Sequence, residues 1–308
     1  MSEYKKPNIT VKDVESMVSD LFGSKAIEVT PLEGGNLSSV FSFLIKGKGC
    51  VVKFSDLTGA YDTESFISEL LTRQGVPFPK CLGQGKWQSL SYSILERIEG
   101  GNLADCSAEQ QLCQLPELIG ILTRMNRVEL GATTGYGWIE PGGNGKYATW
   151  KDYMVATFAE DQAGTFWEGW YDLFQTTCLE KDVFDECYSR LMAYCSYNEP
   201  HRHFIHGDFH PWNILSDSQH ITGIIDGNCA YGDFLVDLAT LEGTMPKVNV
   251  VQAYVDYQEQ AGIHIPDFKE RLIGAHYFKG MDGLRFYAKM GWKDSYCHVR
   301  DFLLNLTH

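Results

Sequence analysis

The stretch HFIHGDFHPWNIL, residues 203–215, places an imidazole, a carboxylate and a carboxamide between two apolar runs. Asp208 and Asn213 are five residues apart, and Asp226 follows at the end of the apolar run 221–225. A carboxylate on a fixed loop can accept a proton from a hydroxyl, while a carboxamide oxygen and a second carboxylate suit Mg²⁺ shared with phosphates. Phosphoryl transfer requires this division of roles. In the alternative interpretation, Asp208 and Asn213 only cap turns.

Several elements must position these groups. Thr10 and Asp13 have the spacing of a capping box ahead of helically spaced apolar residues, which predicts an N-terminal helix. Residues 31–54 then contain two strand-like runs, with a turn predicted at 47–49. A helix is predicted near 63–74, after which strands return. The N-terminal part of the chain is therefore predicted to be mostly β, with one inserted helix.

Beyond residue 100 the pattern is mainly helical. A core helix is predicted around 115–125, with Pro116 in its first turn. The glycine and proline content of 135–147 predicts a loop, and further helices are predicted at 150–175 and 180–196. Two short strand-like runs, ILSD and ITGIID, are predicted to enclose the Asp208 loop, and helices continue to the C-terminus.

The order of these elements predicts an α+β fold of two lobes. Residues 1–98 would form a small β-rich N-terminal lobe, and residues 99–308 a larger helical C-terminal lobe that carries the Asp208 loop. A chain of 308 residues is long enough to bury a core in each lobe. Two lobes joined by a short connection suggest a cleft in which a substrate binds.

The net charge excludes one class of partner. A formal charge of -14 argues against a general binder of nucleic acid or of anionic membranes, which needs a basic face. The charge is compatible with a cationic small-molecule partner. Residues 151–200 hold ten acidic against three basic residues, half of the net charge, although a solvated helical face would explain this equally well.

The cysteines indicate the compartment. Nine cysteines without a Cys-x-x-Cys pair suit reduced thiols better than a disulfide framework or a zinc site. The first ten residues have no apolar signal-peptide region, and no apolar run approaches the roughly 18 residues that span a bilayer. We therefore expect a cytoplasmic protein without a membrane partner.

Residues 203–215 resemble the catalytic loop of the aminoglycoside phosphotransferases, relatives of the protein kinases, whose pattern is His-Gly-Asp-x4-Asn. The segment IIDGNCAYGDFLVDLATLE resembles the metal-binding segment of the same family. The resemblance implies a protein-kinase-like fold and disfavours simple turn capping. The residues that it implies for the site are Asp208 as catalytic base, Asn213 and Asp226 as metal ligands, and His206 and Asp237 as supports of the loop.

The N-terminal part fits the same resemblance. LEGGNLSSVFSFLI has the place and composition of the nucleotide loop, and ILERIEG resembles the hinge that binds adenine. Lys53 matches the strand lysine that contacts phosphates; Glu64 is its expected partner, with Glu69 as the alternative. The nucleotide-binding residues that the resemblance implies are Ser38, Ser39, Lys53, Glu64, and the backbone of Glu96 and Ile98.

The implied function is transfer of a phosphoryl group from ATP or GTP, with Mg²⁺, to a hydroxyl of an aminoglycoside or aminocyclitol. Two alternatives remain: a metabolite kinase acting on a sugar, a ketosamine or an amino alcohol, and a nucleotide-binding pseudokinase. The aromatic residues Trp167, Trp170 and Tyr171 suit a helix core or, less commonly, a platform on which a sugar stacks.

Overall fold

The computed structural model describes residues 6–33 and 37–307, and these residues form two compact units. The first unit runs to Gly100 and also takes the later segment Thr222–Ile225. The second unit contains Gly101–Ile221 and the chain from Asp226 onwards. Each unit has its own buried side chains.

The first unit is built on one antiparallel sheet with the strand order β1-β2-β3-β5-β4. Its strands are β1 (Ile27–Leu32), β2 (Ser39–Ile45), β3 (Lys48–Ser55), β4 (Cys81–Trp87) and β5 (Leu90–Glu96). The β2–β3 hairpin turns at Lys46 and Gly47, both with positive φ, which matches the twist of a two-residue hairpin. The predicted turn at 47–49 was therefore placed slightly too late.

Two helices accompany this sheet. Helix α1 (Val11–Phe22) begins at the predicted capping box, in which Thr10 and Asp13 satisfy each other's backbone N–H groups. Its buried face joins the apolar core of the sheet, which includes Phe43 and Phe54. Helix α2 (Glu64–Thr72) confirms the inserted helix and begins with an acidic residue.

The second unit is mainly helical. Its helices are α3 (Ala108–Asn126), α4 (Trp150–Thr157), α5 (Leu173–Thr176), α6 (Lys181–Asn198), α7 (Leu235–Thr244), α8 (Val250–Gln260), α9 (Phe268–Met290) and α10 (Lys293–Asn305). The long helix α9 packs against α6, α7 and α10 and is the central element of this unit. Among the residues that the structure describes, no helix is long and apolar enough to cross a membrane.

Short strands hold the loops of the second unit. They are β6 (Gly101–Asn102), β7 (Tyr136–Ile139), β8 (Gly145–Tyr147), β9 (His203–Ile205), β10 (Ile214–Ser216), β11 (Ile221–Ile224, whose residues from Thr222 onward belong to the first unit) and β12 (Ala230–Gly232). An antiparallel sheet has the order β8-β7-β12-β9. This sheet connects the Asp208 loop, which follows β9, with the segment after Asp226, which leads into β12.

Three sequence predictions were wrong. Residues 135–147 form the β7–β8 hairpin rather than a loop, because Gly135 and Gly137 adopt positive φ and lie too close to neighbouring atoms for any Cβ. The predicted helix 150–175 ends at Thr157 and resumes only as short turns near Trp170. Pro116 lies inside α3, because the helix already begins at Ala108 after a Ser107 capping box.

Candidate active site

Asp208 lies on the loop between β9 and a single 3-10 turn, Pro211–Asn213. Its side chain is 43% exposed, so a substrate can reach it. The Asn213 amide donates to its Oδ2 at 3.0 Å, and His210 Nε2 lies 3.3 Å from the same oxygen. The surrounding protein partly desolvates this carboxylate, which alone would raise the pKa of Asp208, but the His210 hydrogen bond and the charge of Lys279 outweigh this effect and lower that pKa to about 2. Asp208 is therefore an ionised carboxylate at neutral pH.

The two predicted metal ligands lie beside Asp208. Asn213 Nδ2 donates to the backbone oxygen of Asp208 at 3.0 Å and to that of Asp226 at 3.3 Å. These bonds use the amide nitrogen, so they direct the other end of the carboxamide, its oxygen, away from the loop backbone. The structure thus brings Asp208, Asn213 and Asp226 together.

The donor set at this position fits a hard cation that is shared with a substrate. A carboxylate and an amide oxygen are ligands that Mg²⁺ accepts, and Mg²⁺ commonly takes its remaining ligands from water and phosphate. Within residues 6–33 and 37–307, no group of three or more His, Cys, Asp or Glu side chains is arranged to hold a metal ion. A cation at Asn213 and Asp226 would therefore need oxygen atoms from a bound phosphate or from water.

Asp237 supports the loop from the first turn of α7. Its fully buried carboxylate accepts the backbone N–H of His206 at 2.9 Å and that of Gly207 at 2.8 Å. The Asn126 amide donates a third hydrogen bond at 3.1 Å. Burial raises the pKa of Asp237 to about 6, and the two backbone N–H groups oppose the rise. Asp237 thus fixes the two residues that precede Asp208.

His206 and Gly227 pack closely behind the loop. The His206 ring is fully buried and meets Phe209 edge to face at 5.7 Å. A Cβ on Gly227 would lie 2.5 Å from Cys229 Sγ and 3.2 Å from the His206 ring. Glycine after Asp226 therefore lets the segment lie against the His206 ring and Cys229 without displacing either side chain.

The first unit holds the predicted nucleotide-side residues. Lys53 on β3 lies 3.8 Å from Glu64, the first residue of α2, and both side chains are largely buried. Glu69 is exposed and pairs instead with Arg73, so the structure favours Glu64 over its rival as the partner. Tyr61, which the sequence analysis did not single out, lies under the Lys53 ammonium at 5.5 Å.

The other predicted nucleotide-binding residues already contact other residues of the first unit. The Ser38 hydroxyl bonds to that of Tyr61 at 2.8 Å, and the Ser39 hydroxyl donates to the Pro7 oxygen at 2.5 Å. Glu96 N–H donates to Lys80 O at 2.8 Å, so the hinge contact of Glu96 is restricted to its carbonyl oxygen. Ile98 packs its side chain against Gly223. Residues 34–36 of the predicted nucleotide loop lie outside the described residues.

A cavity of about 40 Å³ lies next to the Asp208 loop, entirely within the second unit. Its lining comprises Trp138, Tyr153, Thr157, Trp167, Ile205, Gly207, Asn228, Ala230, Val236, Phe278, Lys279, Asp282 and Arg285. Trp167 thus lines the cavity, whereas Trp170 is buried in the aromatic core. The free volume is small, so an acceptor the size of a sugar must displace lining side chains or bind at the mouth.

Helix α9 contributes charged groups that the sequence analysis missed. Lys279, Asp282 and Arg285 are spaced by three residues and all line the cavity. Arg285 is 1% exposed and donates to Asp282 Oδ1 at 2.9 Å and to Thr157 O at 2.7 Å. Its guanidinium also lies 4.0 Å from the centre of the Trp167 ring. A solvated helix face shows the same i, i+3 spacing of charges, so the sequence alone could not identify these residues as part of a cavity.

Comparison with known proteins gives consistent results. Hygromycin-B 4-O-kinase of Escherichia coli is 26% identical over 258 residues, covering 83% of this chain and 73% of the relative. A ternary complex of a thermostable mutant of aminoglycoside phosphotransferase APH(4)-Ia with AMP-PNP and hygromycin B has a TM-score of 0.77 at 24% identity, covering 94% of this chain and 96% of that one. A putative fructosamine-3-kinase of Haemophilus somnus 129PT has a TM-score of 0.64 at 13% identity, with coverages of 96% and 97%.

The two structural similarities show a shared kinase-like fold, which confirms the predicted α+β architecture of a β-rich N-terminal part and a helical C-terminal part. A model of the phosphotransferase enzyme family matches residues 28–269, which is more than half of the chain and includes every site residue predicted from the sequence. The chain therefore belongs to the phosphotransferase enzyme family.

Proposed function

We propose that this phosphotransferase moves the γ-phosphoryl group of ATP to a hydroxyl of an aminoglycoside or a similar amino sugar. In this proposal residues 1–98 bind the nucleotide, and residues 99–308 carry the catalytic loop and bind the acceptor. The observation that carries the proposal is the ionised carboxylate of Asp208. Asn213 binds Asp208 and also contacts Asp226, and a cavity lies beside the loop. The complex of the similar phosphotransferase with AMP-PNP and hygromycin B supports both substrate classes.

Asp208 would act on the acceptor. Its carboxylate orients the acceptor hydroxyl and takes the proton as the O–H bond breaks, while the acceptor oxygen bonds to phosphorus and the bond to the leaving ADP oxygen breaks. A pKa of about 2 makes this carboxylate a weak base, so it suits late proton transfer in a loose transition state. Its main contribution is then the orientation of the hydroxyl, which explains why the loop is so firmly held.

Asn213 and Asp226 would hold Mg²⁺ through the amide oxygen and the carboxylate. A bound Mg²⁺ neutralises the charge that the phosphate oxygens carry during transfer. Because Asn213 also donates to Asp208, one side chain links the acceptor side of the reaction to the metal side.

In the first unit, Lys53 would bind the α- and β-phosphates. Glu64, 3.8 Å away, keeps the largely buried ammonium in place. Ser38 would contact phosphate with its hydroxyl, which also bonds to that of Tyr61. Ser39 would contact phosphate through its backbone, because its hydroxyl already donates to the Pro7 oxygen. The Glu96 carbonyl and the Ile98 N–H would bind the adenine edge.

The acceptor would place an amine near Asp282. This carboxylate is the acidic group that lines the cavity, and none of the ten acidic residues of 151–200 does so. Several of those ten are paired with cations: Asp185 with Lys181, Glu186 with Arg190, and Glu180 with Arg300. Asp282 lines the cavity and the acidic segment does not, so Asp282 is the better candidate to meet an acceptor amine, which would share its carboxylate with Arg285.

We also infer that the protein works in the cytoplasm, because all nine cysteines, which lie within the described residues, are free thiols. Burial raises the pKa of Cys187 and of Cys195 to about 11, which keeps both as unreactive thiols.

The test is phosphate transfer from Mg²⁺-ATP to paired acceptors, amino sugars and their hydroxyl analogues, with Asp208→Asn beside the parent protein. We expect transfer to the amino sugars, and a kcat lower by about 10²–10⁴-fold in Asp208→Asn with little change in nucleotide affinity. Preferred transfer to neutral sugars would support the metabolite-kinase alternative, and nucleotide binding without any transfer would support a pseudokinase. A parent-like kcat in Asp208→Asn, or an effect confined to the affinity for the nucleotide, would exclude the assigned role of Asp208.

A further inference from the structure

Lys279 reaches the catalytic loop from the middle of α9. Its ammonium donates a hydrogen bond to the backbone oxygen of Gly207 at 2.7 Å. The side chain is only 18% exposed and lines the cavity beside Gly207 and Asp282. A lysine that is this far buried pays a desolvation cost, so the groups that its charge faces decide whether the position is favourable.

The carbonyl that Lys279 binds belongs to the peptide group joining Gly207 to Asp208. A peptide group is planar, so fixing its oxygen also fixes the direction in which the chain enters Asp208. The preceding peptide group is fixed as well, because the Gly207 N–H donates to Asp237 at 2.8 Å. The backbone on both sides of Gly207 is thus held by charged side chains of two different helices.

The charge of Lys279 also acts on the carboxylates around the loop. It lowers the pKa of Asp208 and opposes the rise in the pKa of Asp237. Asp282 Oδ2 lies 4.0 Å from the ammonium. The other oxygen of Asp282 accepts from Arg285, one turn further along the helix. The ammonium therefore lies among the Gly207 oxygen and these carboxylates, which limits the positions it can take.

We propose that Lys279 is a positioning residue for phosphoryl transfer, which holds the Gly207–Asp208 peptide so that the Asp208 carboxylate meets the acceptor hydroxyl. This inference rests on the proposed function, in which Asp208 orients that hydroxyl. Lys279 then acts on kcat through Asp208, and not through the affinity for either substrate.

The test compares Lys279→Met, which removes both the charge and the hydrogen bond, with Lys279→Arg, which keeps a cation and donors of sufficient reach. We expect Lys279→Met to lower kcat by about 10–10²-fold at unchanged KM for ATP and acceptor, and Lys279→Arg to recover most of the loss. Lys269→Met, at an exposed position at the start of the same helix, is the control and should keep the parent kcat. Thermal unfolding of each variant accompanies the assay.

A double-mutant cycle separates positioning from a general structural role. If Lys279 acts through Asp208, adding Lys279→Met to Asp208→Asn should lower kcat by less than about threefold further. Losses that multiply independently would overturn the inference, and so would a parent-like kcat in Lys279→Met or an effect confined to the acceptor KM.

Two further variants separate failure of this inference from failure of the proposed function. If Lys279→Met does not fold, Lys279→Gln takes its place, because its uncharged and shorter side chain should also fail to hold the carbonyl; a parent-like kcat there would overturn the inference. An unimpaired Asp208→Asn would instead contradict the proposed function itself, whatever the Lys279 variants show.

Discussion

Replacing Gly207 with alanine tests how accurately the catalytic loop must be placed. Gly207 has φ +77°, a left-handed conformation that residues with a Cβ rarely adopt. A Cβ at this position would lie 2.2 Å from the backbone oxygen of Asn228. Because that neighbour is backbone, it cannot rotate away as a flexible side chain could.

The size of the effect follows from this distance. Real Cβ contacts essentially never fall below 3.0 Å, so residue 207 and Asn228 must separate by roughly 0.8 Å or more. A misplacement of about 1 Å at a reacting group can lower the rate about 10²-fold, which corresponds to about 2.7 kcal/mol of transition-state stabilisation. The left-handed backbone adds a stability cost of about 1–2 kcal/mol for an alanine. We therefore expect both a less stable protein and a much lower kcat.

The assay measures kcat, the KM for ATP and unfolding by urea for Gly207→Ala and for Gly262→Ala. Gly262 has a similar φ of +66°, but an added Cβ there would meet no atom within 4 Å. The control should lose about 1–2 kcal/mol of stability and keep kcat within about threefold of the parent value. Equal kcat values in both variants would refute the claim that the contact with Asn228 sets the position of the loop.

Three further substitutions test the groups around the loop and the nucleotide. Asp237→Asn should reduce the free energy of unfolding by about 2–5 kcal/mol, because the His206 and Gly207 N–H groups bind different carboxylate oxygens and the amide nitrogen cannot accept one of them; a parent-like urea midpoint would contradict this. Lys53→Met should lose more ATP affinity and turnover than Lys53→Arg, which keeps the charge, and equal kinetics of Lys53→Met and the parent would make Lys53 an ordinary strand residue. Asp226→Ala should make nucleotide binding insensitive to Mg²⁺, and Asn213→Ala less so because it removes a neutral ligand; Mg²⁺ titrations unchanged in both variants would exclude these residues as ligands.

The sequence predicted those parts of the fold whose local pattern agrees with their packing. The capping box at Thr10 and the alternating run of β3 each determine their element almost alone, and both were confirmed. The β7–β8 hairpin was missed because its strands have only three or four residues, rich in glycine, and depend on pairing with β12. The helix predicted at 150–175 failed because apolar and aromatic residues at 158–170 pack against α9 without helical backbone.

The candidate site shows a similar limit. Residues 206–237 carry a motif in which type and spacing are informative, so Asp208, Asn213, Asp226 and Asp237 could be selected before the structure was known. Lys279 lies 72 residues beyond Gly207 in the chain, and its role depends on which carbonyl it reaches. Helical periodicity places a residue on a face of its helix, whereas only tertiary packing decides what that face contacts.

The catalytic loop and the cavity wall differ in how firmly they are held. Asp237 and Lys279 bind both peptide groups of Gly207, with hydrogen bonds of 2.8 and 2.7 Å. Trp167, in contrast, lies in the non-helical segment between α4 and α5, where its ring contacts the Arg285 guanidinium, the Lys289 ammonium and the Phe166 ring. Each cation–π contact contributes about 0.5–2 kcal/mol, which an acceptor can offset by burying its own surface against the aromatic wall. A cavity of about 40 Å³ can therefore open for larger acceptors while Asp208 stays in place, and differences among acceptors should affect KM more than kcat.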